Sequence, residues 1–448
     1  MNKKTPMVIT ALLAVVIAGG LFLFLERKSS LPEPAPSLSD VNTDEFTGEF
    51  PSPEETGQNS TSKPEPADVG RVVDANNKFA LDYYSRLKGK AGGNIFFSPF
   101  SISAALAMTY EGARGKTAEE MRSVFHFPED GNLRRTQYAA IFGEINKKDK
   151  KYKLNTANAL WAQKDYEFLK EYFDVVGKYY GGKAANLDFI KDAEGSRITI
   201  NNWVEARTNN KIKDLIPPGI LDDSTRLVLT NAIYFKGEWA KPFNKEITGK
   251  EKFRISKKRS VKAQMMRMDA TESFNYAENN TLQMLEMPYC GDELSMLLLL
   301  PKNDDLAALE SSLSVQKLSE WKNNLEEQDV RVFIPKFKFE TKYLMAKDLQ
   351  AMGMPAPFEW PGADFSGMNG TNELYISEVI HQAFVEVNEE GTEAAAATAV
   401  FMRAGSAPQI KIPVIFNADH PFIFLIQEKY SGNILFLGRV IEPAQADD

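Results

Sequence analysis

The sequence contains very little cysteine and histidine. Its 448 residues include one cysteine, Cys290, and three histidines, His126, His381 and His420. A single cysteine cannot form an intrachain disulfide, so a protein of this size depends on its hydrophobic core for stability. The histidines show none of the paired spacings that are typical of zinc sites. The sequence therefore indicates neither a disulfide scaffold nor a metal centre.

The motifs of common enzymes are also missing. There is no Gly-x-Ser-x-Gly nucleophile elbow. Residues 112–117 resemble the end of a phosphate-binding loop, but they lack its first glycine and fit a turn between two helices better. The net charge of −8 and the sequence pI near 5.3 give no general basic character for binding nucleic acid. We therefore expect no nucleic-acid partner.

One long hydrophobic run occurs near the N-terminus. Lys3 and Lys4 precede residues 7–25, which are almost entirely apolar. As a helix, 19 residues extend about 28 Å, close to the hydrocarbon thickness of a bilayer. The run continues past the small residues at 18–20 without the pattern of a cleavage site, which disfavours a cleaved signal peptide. We predict that residues 1–28 form an uncleaved membrane anchor of an extracytoplasmic protein; a secreted protein is the alternative.

The rest of the chain divides into a linker and a folded domain. Residues 29–69 are rich in Pro, Ser, Glu, Asp and Thr, and such a segment buries too little apolar surface to fold alone. In residues 70–448, helical patterns come first and strand patterns dominate from Leu227 onward; residues 332–339, for example, alternate between apolar and polar. This order predicts an α+β domain with a mostly antiparallel sheet.

The segment at residues 389–398 is unusual because most of its side chains are small. Alone, its alanines favour a surface helix capped at Thr392. Read as a strand, the segment could enter between two existing strands without steric conflict, with Gly391 as a pivot. We call residues 389–398 the hinge. It contains Glu389, Gly391, Thr392, Glu393, Ala394, Ala395, Ala396, Ala397 and Thr398.

Five segments, in this order along the chain, resemble the serpin family. They are residues 94–102 (NIFFSPFSI), 230–239 (TNAIYFKGEW), the hinge, 419–422 (DHPF) and 432–439 (GNILFLGR). The resemblance covers nearly all of residues 70–443. It implies a serpin fold with three β-sheets, eight or nine helices and an exposed reactive-centre loop at about residues 389–413.

The resemblance also implies a function that requires no catalytic residues and no cofactor. A serpin of the inhibitory type is a suicide substrate: a serine protease cleaves the loop and is trapped as an acyl-enzyme when the loop inserts as a strand of the main sheet. Residues 391–398 match the hinge of inhibitory members throughout. The alternative is a non-inhibitory serpin that acts as a binding or chaperone-like module. We expect a monomer in either case.

Six residues outside the hinge are implied to control how the main sheet opens. Trp239 should lie where the opening begins, and Lys336 should form an ion pair with Glu389 there. The central strands should part near four polar side chains, those of Ser98, Ser101, Asn231 and His381.

The position of the cleaved bond sets the class of target protease. Counting from the hinge by the family's usual spacing places the bond between Gly405 and Ser406, and a count one residue shorter places it between Ala404 and Gly405. Either bond presents a very small side chain to the protease, which suits an elastase-like or subtilisin-like enzyme. Arg403 is the alternative and would attract a trypsin-like enzyme, although it lies two residues early.

Overall fold

The computed structural model describes residues 68–147, 150–392 and 413–443. Within these ranges the chain forms ten α-helices and sixteen β-strands. Most of the helices precede most of the strands, and the predicted α+β class is confirmed. The next two paragraphs give the bounds of these elements.

The helices occupy mainly the first half of the domain. Side-chain N-caps begin several of them: Ser98, for example, accepts a hydrogen bond from the backbone amide of Ser101, and Asp130 accepts one from that of Asn132. The helices are α1 (Gly70–Lys88), α2 (Pro99–Gly112), α3 (Gly115–Phe125), α4 (Gly131–Ile145), α5 (Lys170–Tyr180), α6 (Phe189–Arg207), α7 (Leu306–Ser312), α8 (Val315–Lys322), α9 (Ala346–Ala351) and α10 (Ser366–Asn369).

The strands range from two to twelve residues in length. They are β1 (Ile95–Phe97), β2 (Tyr152–Gln163), β3 (Lys183–Leu187), β4 (Leu227–Glu238), β5 (Asn244–Arg254), β6 (Ser260–Arg267), β7 (Glu272–Glu278), β8 (Leu282–Pro288), β9 (Leu294–Pro301), β10 (Glu326–Pro335), β11 (Phe337–Leu344), β12 (Glu378–Asn388), β13 (Gly391–Thr392), β14 (Val414–Asn417), β15 (Phe422–Glu428) and β16 (Ile434–Val440).

The smaller sheet contains six strands in the order β11-β12-β13-β4-β2-β3. Its central strand β4 is buried along almost its whole length, as is typical of a strand that is covered on both faces. On one face, Leu229 and Ile233 join the main hydrophobic core. On the other face, a second apolar cluster that includes Trp161 and Val204 fills the space beneath α6. Any strand that enters this sheet must therefore enter the protein core.

The larger sheet has the order β1-β16-β15-β9-β8-β7-β10-β6-β5, with β14 beside β10. In place of the three sheets expected, the described residues form two hydrogen-bonded sheets. The reason is that β10 pairs with β7 through residues 326–330 and with β6 through residues 333–335, which joins two groups of strands. The described helices number ten, rather than eight or nine, when the four-residue α10 is counted.

Candidate functional site

The two central strands of the smaller sheet separate at one end. β4 and β12 pair directly, in parallel, through residues 228–234 and 378–384. Beyond this region β13 lies between them and pairs antiparallel with both: Thr392 is opposite Val387 of β12 and Gly237 of β4. The sheet is thus closed along one part of these strands, and it already holds the first two residues of an additional strand in the other.

The entry of the chain between β4 and β12 requires glycine at position 391. Gly391 has a φ of 155°, and a Cβ atom added there would lie 2.1 Å from the carbonyl oxygen of Gly237. No other residue type fits that space without moving the backbone. The side chain of Asn388 orders the turn before it, because its Oδ1 accepts hydrogen bonds from the amides of Glu390 and Gly391 at 3.0 and 3.3 Å.

The side chain of Thr392 points into the core. Thr392 is 1% exposed, and its hydroxyl lies 2.8 Å from the hydroxyl of Tyr289. The Tyr289 ring in turn stacks on Trp239, with ring centroids 4.6 Å apart. Burial raises the pKa of Tyr289, so the phenol stays neutral. A buried hydroxyl therefore has a neutral partner, and the described start of the hinge is a strand and not a helix.

Trp239 holds the turn that leads into β13. Its indole Nε1 donates a hydrogen bond to the carbonyl oxygen of Asn388 at 3.0 Å. Its backbone amide donates to the carbonyl oxygen of Glu390 at 2.8 Å, and the amide of Phe243 donates to that of Glu389 at the same distance. The end of β4 thus fixes the chain immediately before the hinge enters the sheet.

Two lysines neutralise the first two hinge residues. The predicted ion pair between Lys336 and Glu389 is present, with Nζ and Oε2 3.0 Å apart, and Lys245 forms a second pair with Glu390. Burial opposes ionisation of Glu389. Nevertheless, hydrogen bonds from its own backbone amide, from Lys336 and from Thr248 hold the pKa of its carboxyl below the usual value. Glu389 is therefore a buried carboxylate that depends on its partners.

The four polar residues named from the sequence lie together beneath the closed part of the sheet. His381 and Asn231 are directly opposite each other on β12 and β4, and the imidazole Nδ1 is hydrogen-bonded to the Asn231 amide oxygen. The Ser98 backbone amide donates to His381 Nε2 at 3.1 Å. The amide group of Asn231 donates to the Ser101 hydroxyl. These contacts connect the start of α2 with both central strands.

His381 is neutral in this arrangement. Its complete burial lowers the pKa of the imidazole to about 3. Because Nε2 accepts a hydrogen bond from Ser98, the ring proton must lie on Nδ1, where it is donated to Asn231. Protonation would place a second N–H against the Ser98 amide and disrupt the contact between β12 and the start of α2.

A family model described as Serpin (serine protease inhibitor) matches residues 74–443. The chain belongs to the serpin family. Serpins are protease inhibitors and not catalytic enzymes, although some members are not inhibitory. The predicted fold is thereby confirmed as a serpin fold.

Curated relatives and solved structures extend this result. A protein from Methanosarcina mazei called an uncharacterized serpin-like protein is 43% identical over 386 residues, which are 84% of this chain and 88% of that protein. The leukocyte elastase inhibitor of Xenopus laevis is 44% identical over 372 residues, covering 82% and 97%. The crystal structure of Serpin48 from the insect Tenebrio molitor has a TM-score of 0.76 at 34% identity, covering 84% of this chain and 98% of that one.

The structure of this serpin adds two residues to the site that the sequence did not indicate. Asn158 on β2 accepts hydrogen bonds from Ser101 and Asn231, so the polar group spans a third strand. Tyr289 is the partner of Thr392. The asparagine among the otherwise apolar residues 157–162 of β2 was a usable signal for Asn158. No local signal marks Tyr289, which meets Thr392 only through the fold.

Several predicted features of the serpin lie outside the described residues. They include Glu393 to Thr398 of the hinge and the four bond candidates, Arg403, Ala404, Gly405 and Ser406. The predicted membrane segment at residues 7–25 lies outside them as well. In the ranges 68–147, 150–392 and 413–443, no helix is both long enough and apolar enough to cross a membrane.

Proposed function

We propose that this serpin is a single-use inhibitor of a serine protease. The protease cleaves the reactive-centre loop, becomes attached to it as an acyl-enzyme, and is trapped when the hinge inserts between β4 and β12. The observation that supports this proposal is the antiparallel pairing of Gly391 and Thr392 with both strands. Insertion then continues, in the same register, a strand that has already begun, as β4 and β12 separate.

The register of β13 gives the position of each residue after insertion. Thr392 is opposite Val387 and Gly237, so antiparallel continuation places Thr398 between His381 and Asn231. The hydrogen bond that closes β4 onto β12 would then be replaced by contacts to the new strand. The polar group beneath the sheet offers hydroxyl, amide and imidazole partners at that level, so a threonine is accommodated there.

Insertion is expected to lower the free energy, because the new strand replaces one set of inter-strand hydrogen bonds with two sets. The parallel pairing of residues 228–234 with 378–384 is lost, and antiparallel pairing with β4 and with β12 takes its place. Antiparallel pairs are slightly more stable than parallel pairs, and each added backbone hydrogen bond contributes about 1 kcal/mol net. The uncleaved form therefore persists through a kinetic barrier.

For the target we favour an elastase-like or subtilisin-like protease. Cleavage at Gly405–Ser406, or at Ala404–Gly405, presents a very small side chain. Relatives that carry the name leukocyte elastase inhibitor, 44% identical in Xenopus laevis and 42% in Homo sapiens, agree with this choice. Arg403 and a trypsin-like enzyme remain the second option.

The test is to incubate the protein separately with elastase, subtilisin and trypsin, and to examine the products by SDS gel and mass spectrometry. We expect a covalent complex that survives SDS, together with a released C-terminal peptide that begins at Ser406. A peptide that begins at Gly405 would shift the bond by one residue, and one that begins at Ala404 would make Arg403 the bait. Cleavage by all three enzymes without any complex would contradict inhibition.

We further propose that residues 7–25 hold this inhibitor at a membrane, with residues 29–69 as a tether outside the folded domain. The length and apolar character of the run support the anchor. Alkaline carbonate extraction of cells that produce the full chain should leave the protein in the membrane pellet. Recovery in the soluble fraction, with an N-terminus downstream of residue 25, would favour secretion instead.

A further inference from the structure

The hairpin formed by β5 and β6 carries many positive charges. Between residues 245 and 267 there are nine basic and two acidic residues, in a chain whose net charge is −8. By contrast, Lys150, which follows α4, is neutralised by Glu144 at 2.8 Å and Glu293 at 2.7 Å. The hairpin is therefore a candidate surface for an anionic partner.

About half of the basic side chains of the hairpin have structural partners. The pairs are Lys245 with Glu390, Arg254 with Asp304 and Asp419, Arg259 with Glu442, and Arg267 with Glu251. Four others, Lys252, Lys257, Lys258 and Lys262, are exposed and form no ion pair within the part of the chain that the structure describes. We call these four the hairpin lysines.

Two of the hairpin lysines are arranged at a cost to stability. Lys252 and Lys262 are directly opposite each other on β5 and β6, and like charges in that position are destabilising. Lysines on an edge strand often serve to prevent pairing with other chains, and β5 is the last strand of its sheet. That role accounts for Lys252. It does not account for Lys262 on the inner strand, nor for the pair in the turn.

The turn that carries Lys257 and Lys258 is ordered. The amide of Ile255 donates to the carbonyl oxygen of Arg259 at 2.9 Å. The hydroxyl of Ser256 accepts hydrogen bonds from the amides of Lys258 and Arg259 at 3.3 and 3.2 Å. The two turn lysines therefore project from a fixed backbone, which lowers the entropy that a partner must offset on binding.

The hairpin extends along the base of the reactive-centre loop. At one end of β5, Lys245 pairs with Glu390, immediately before the hinge enters the sheet. At the other end, the Arg254 amide donates to the carbonyl oxygen of Asp419 at 2.7 Å, a few residues after the loop returns to β14. Residues just before and just after the loop therefore contact this hairpin.

We propose that the hairpin lysines form a docking surface for an acidic patch on the target protease, beside its active-site cleft. The inference rests on the proposed function and specifies the charge of the partner. Near the same loop, the start of β10 is acidic, with Glu326, Glu327 and Asp329 exposed, in contrast to the hairpin. Opposite charges across an interface accelerate encounter and fix orientation, and salt weakens both effects.

The experiment compares the full-length protein in nonionic detergent with two double variants. Lys252→Glu/Lys262→Glu reverses two hairpin lysines, and Lys78→Glu/Lys317→Glu makes the same change in net charge on α1 and α8. The probe is elastase whose surface lysines have been succinylated, which makes it acidic; acetylated elastase is its neutral counterpart. The rate constant for complex formation and the stoichiometry are measured from 20 mM to about 500 mM salt, a range that spans weak to strong screening.

At low salt we expect the hairpin variant to react about tenfold more slowly than the parent with succinylated elastase, at unchanged stoichiometry. The control variant should stay within about twofold of the parent, and the difference should disappear at high salt. Equal rates for the two variants, or equal slowing with acetylated elastase, would overturn the docking surface. The docking surface would also be overturned if polyglutamate bound the parent and not the hairpin variant while both proteins reacted with succinylated elastase at the same rate. Absence of any covalent complex with the parent would instead refute the proposed function.

Discussion

The hydroxyl groups of Thr392 and Tyr289 lie 2.8 Å apart inside the protein. Thr392 is the second residue of β13, and Tyr289 directly follows β8 in the larger sheet. The contact means that the first side chain of the incoming strand is already desolvated before any protease acts. The chemical character of residue 392 therefore decides whether the strand can begin.

Thr392→Arg should convert the inhibitor into an ordinary substrate. A guanidinium at this position would have to be buried next to a neutral tyrosine, at a cost of several kcal/mol. We expect the number of inhibitor molecules consumed per trapped protease to rise to about ten or more. Thr392→Val has a similar volume and no charge, and it should remain inhibitory. Equal stoichiometry for Thr392→Arg and the parent would refute insertion at this site.

Gly391→Ala should weaken the entry of the hinge. The new Cβ atom would meet the carbonyl oxygen of Gly237 at 2.1 Å, at a φ of 155° that alanine rarely adopts. We expect a severalfold rise in stoichiometry and a slower rate of trapping. Gly249→Ala in β5 is the matched control, because no atom lies within 4 Å of its added Cβ. The idea is wrong if the two variants inhibit alike.

Lys336→Met should destabilise the uncleaved protein. The side chain of Glu389 is 4% exposed and that of Lys336 is 40% exposed, so the change leaves a buried carboxylate without its main cation. Because the lysine is partly solvated, we expect a loss of about 1–2 kcal/mol in the free energy of unfolding measured with urea. Adding Glu389→Gln should restore part of it. Additive losses in the double variant would show that the two side chains are not coupled.

Acid should destabilise the closed sheet through His381. Burial lowers the pKa of its imidazole from 6.5 to about 3, so the unfolded chain takes up a proton between these values that the folded protein refuses. The stabilising contribution is complete above pH 6.5 and is lost as the pH falls, at about 1.4 kcal/mol per pH unit, until pH 3. His381→Gln should show a correspondingly shallower fall in unfolding midpoint from pH 7 to pH 4. Parallel curves for the parent and variant would contradict this account.

The structure brings together residues that the sequence grouped and adds contacts that the sequence did not indicate. The ion pair of Lys336 and Glu389, and the meeting of His381 with Asn231, followed from a family resemblance whose motifs carry their own spacing. Tyr289 was missed, because its contact joins residues more than a hundred positions apart and leaves no periodic signal. The hairpin lysines were missed for another reason: the sequence shows a basic run but not which charges the fold neutralises.

The number of sheets also could not be predicted from the sequence. Whether β10 belongs to one group of strands or to two depends on where β6 and β7 lie along it. That arrangement is a property of tertiary packing. The alternation of polar and apolar residues within β10 does not indicate which strands pair with it.

Residues on both sides of the reactive-centre loop belong to the same folded body: Thr392 in β13 and Val414 in β14. Strand addition is therefore intramolecular, and the effective concentration of a segment joined to its site in the same chain can reach the millimolar range. The loop of a second molecule, at micromolar concentration, is at a disadvantage of about a thousandfold for the same gap. Chains should link to one another only when heat or mutation has first withdrawn a molecule's own Thr392 from between β4 and β12.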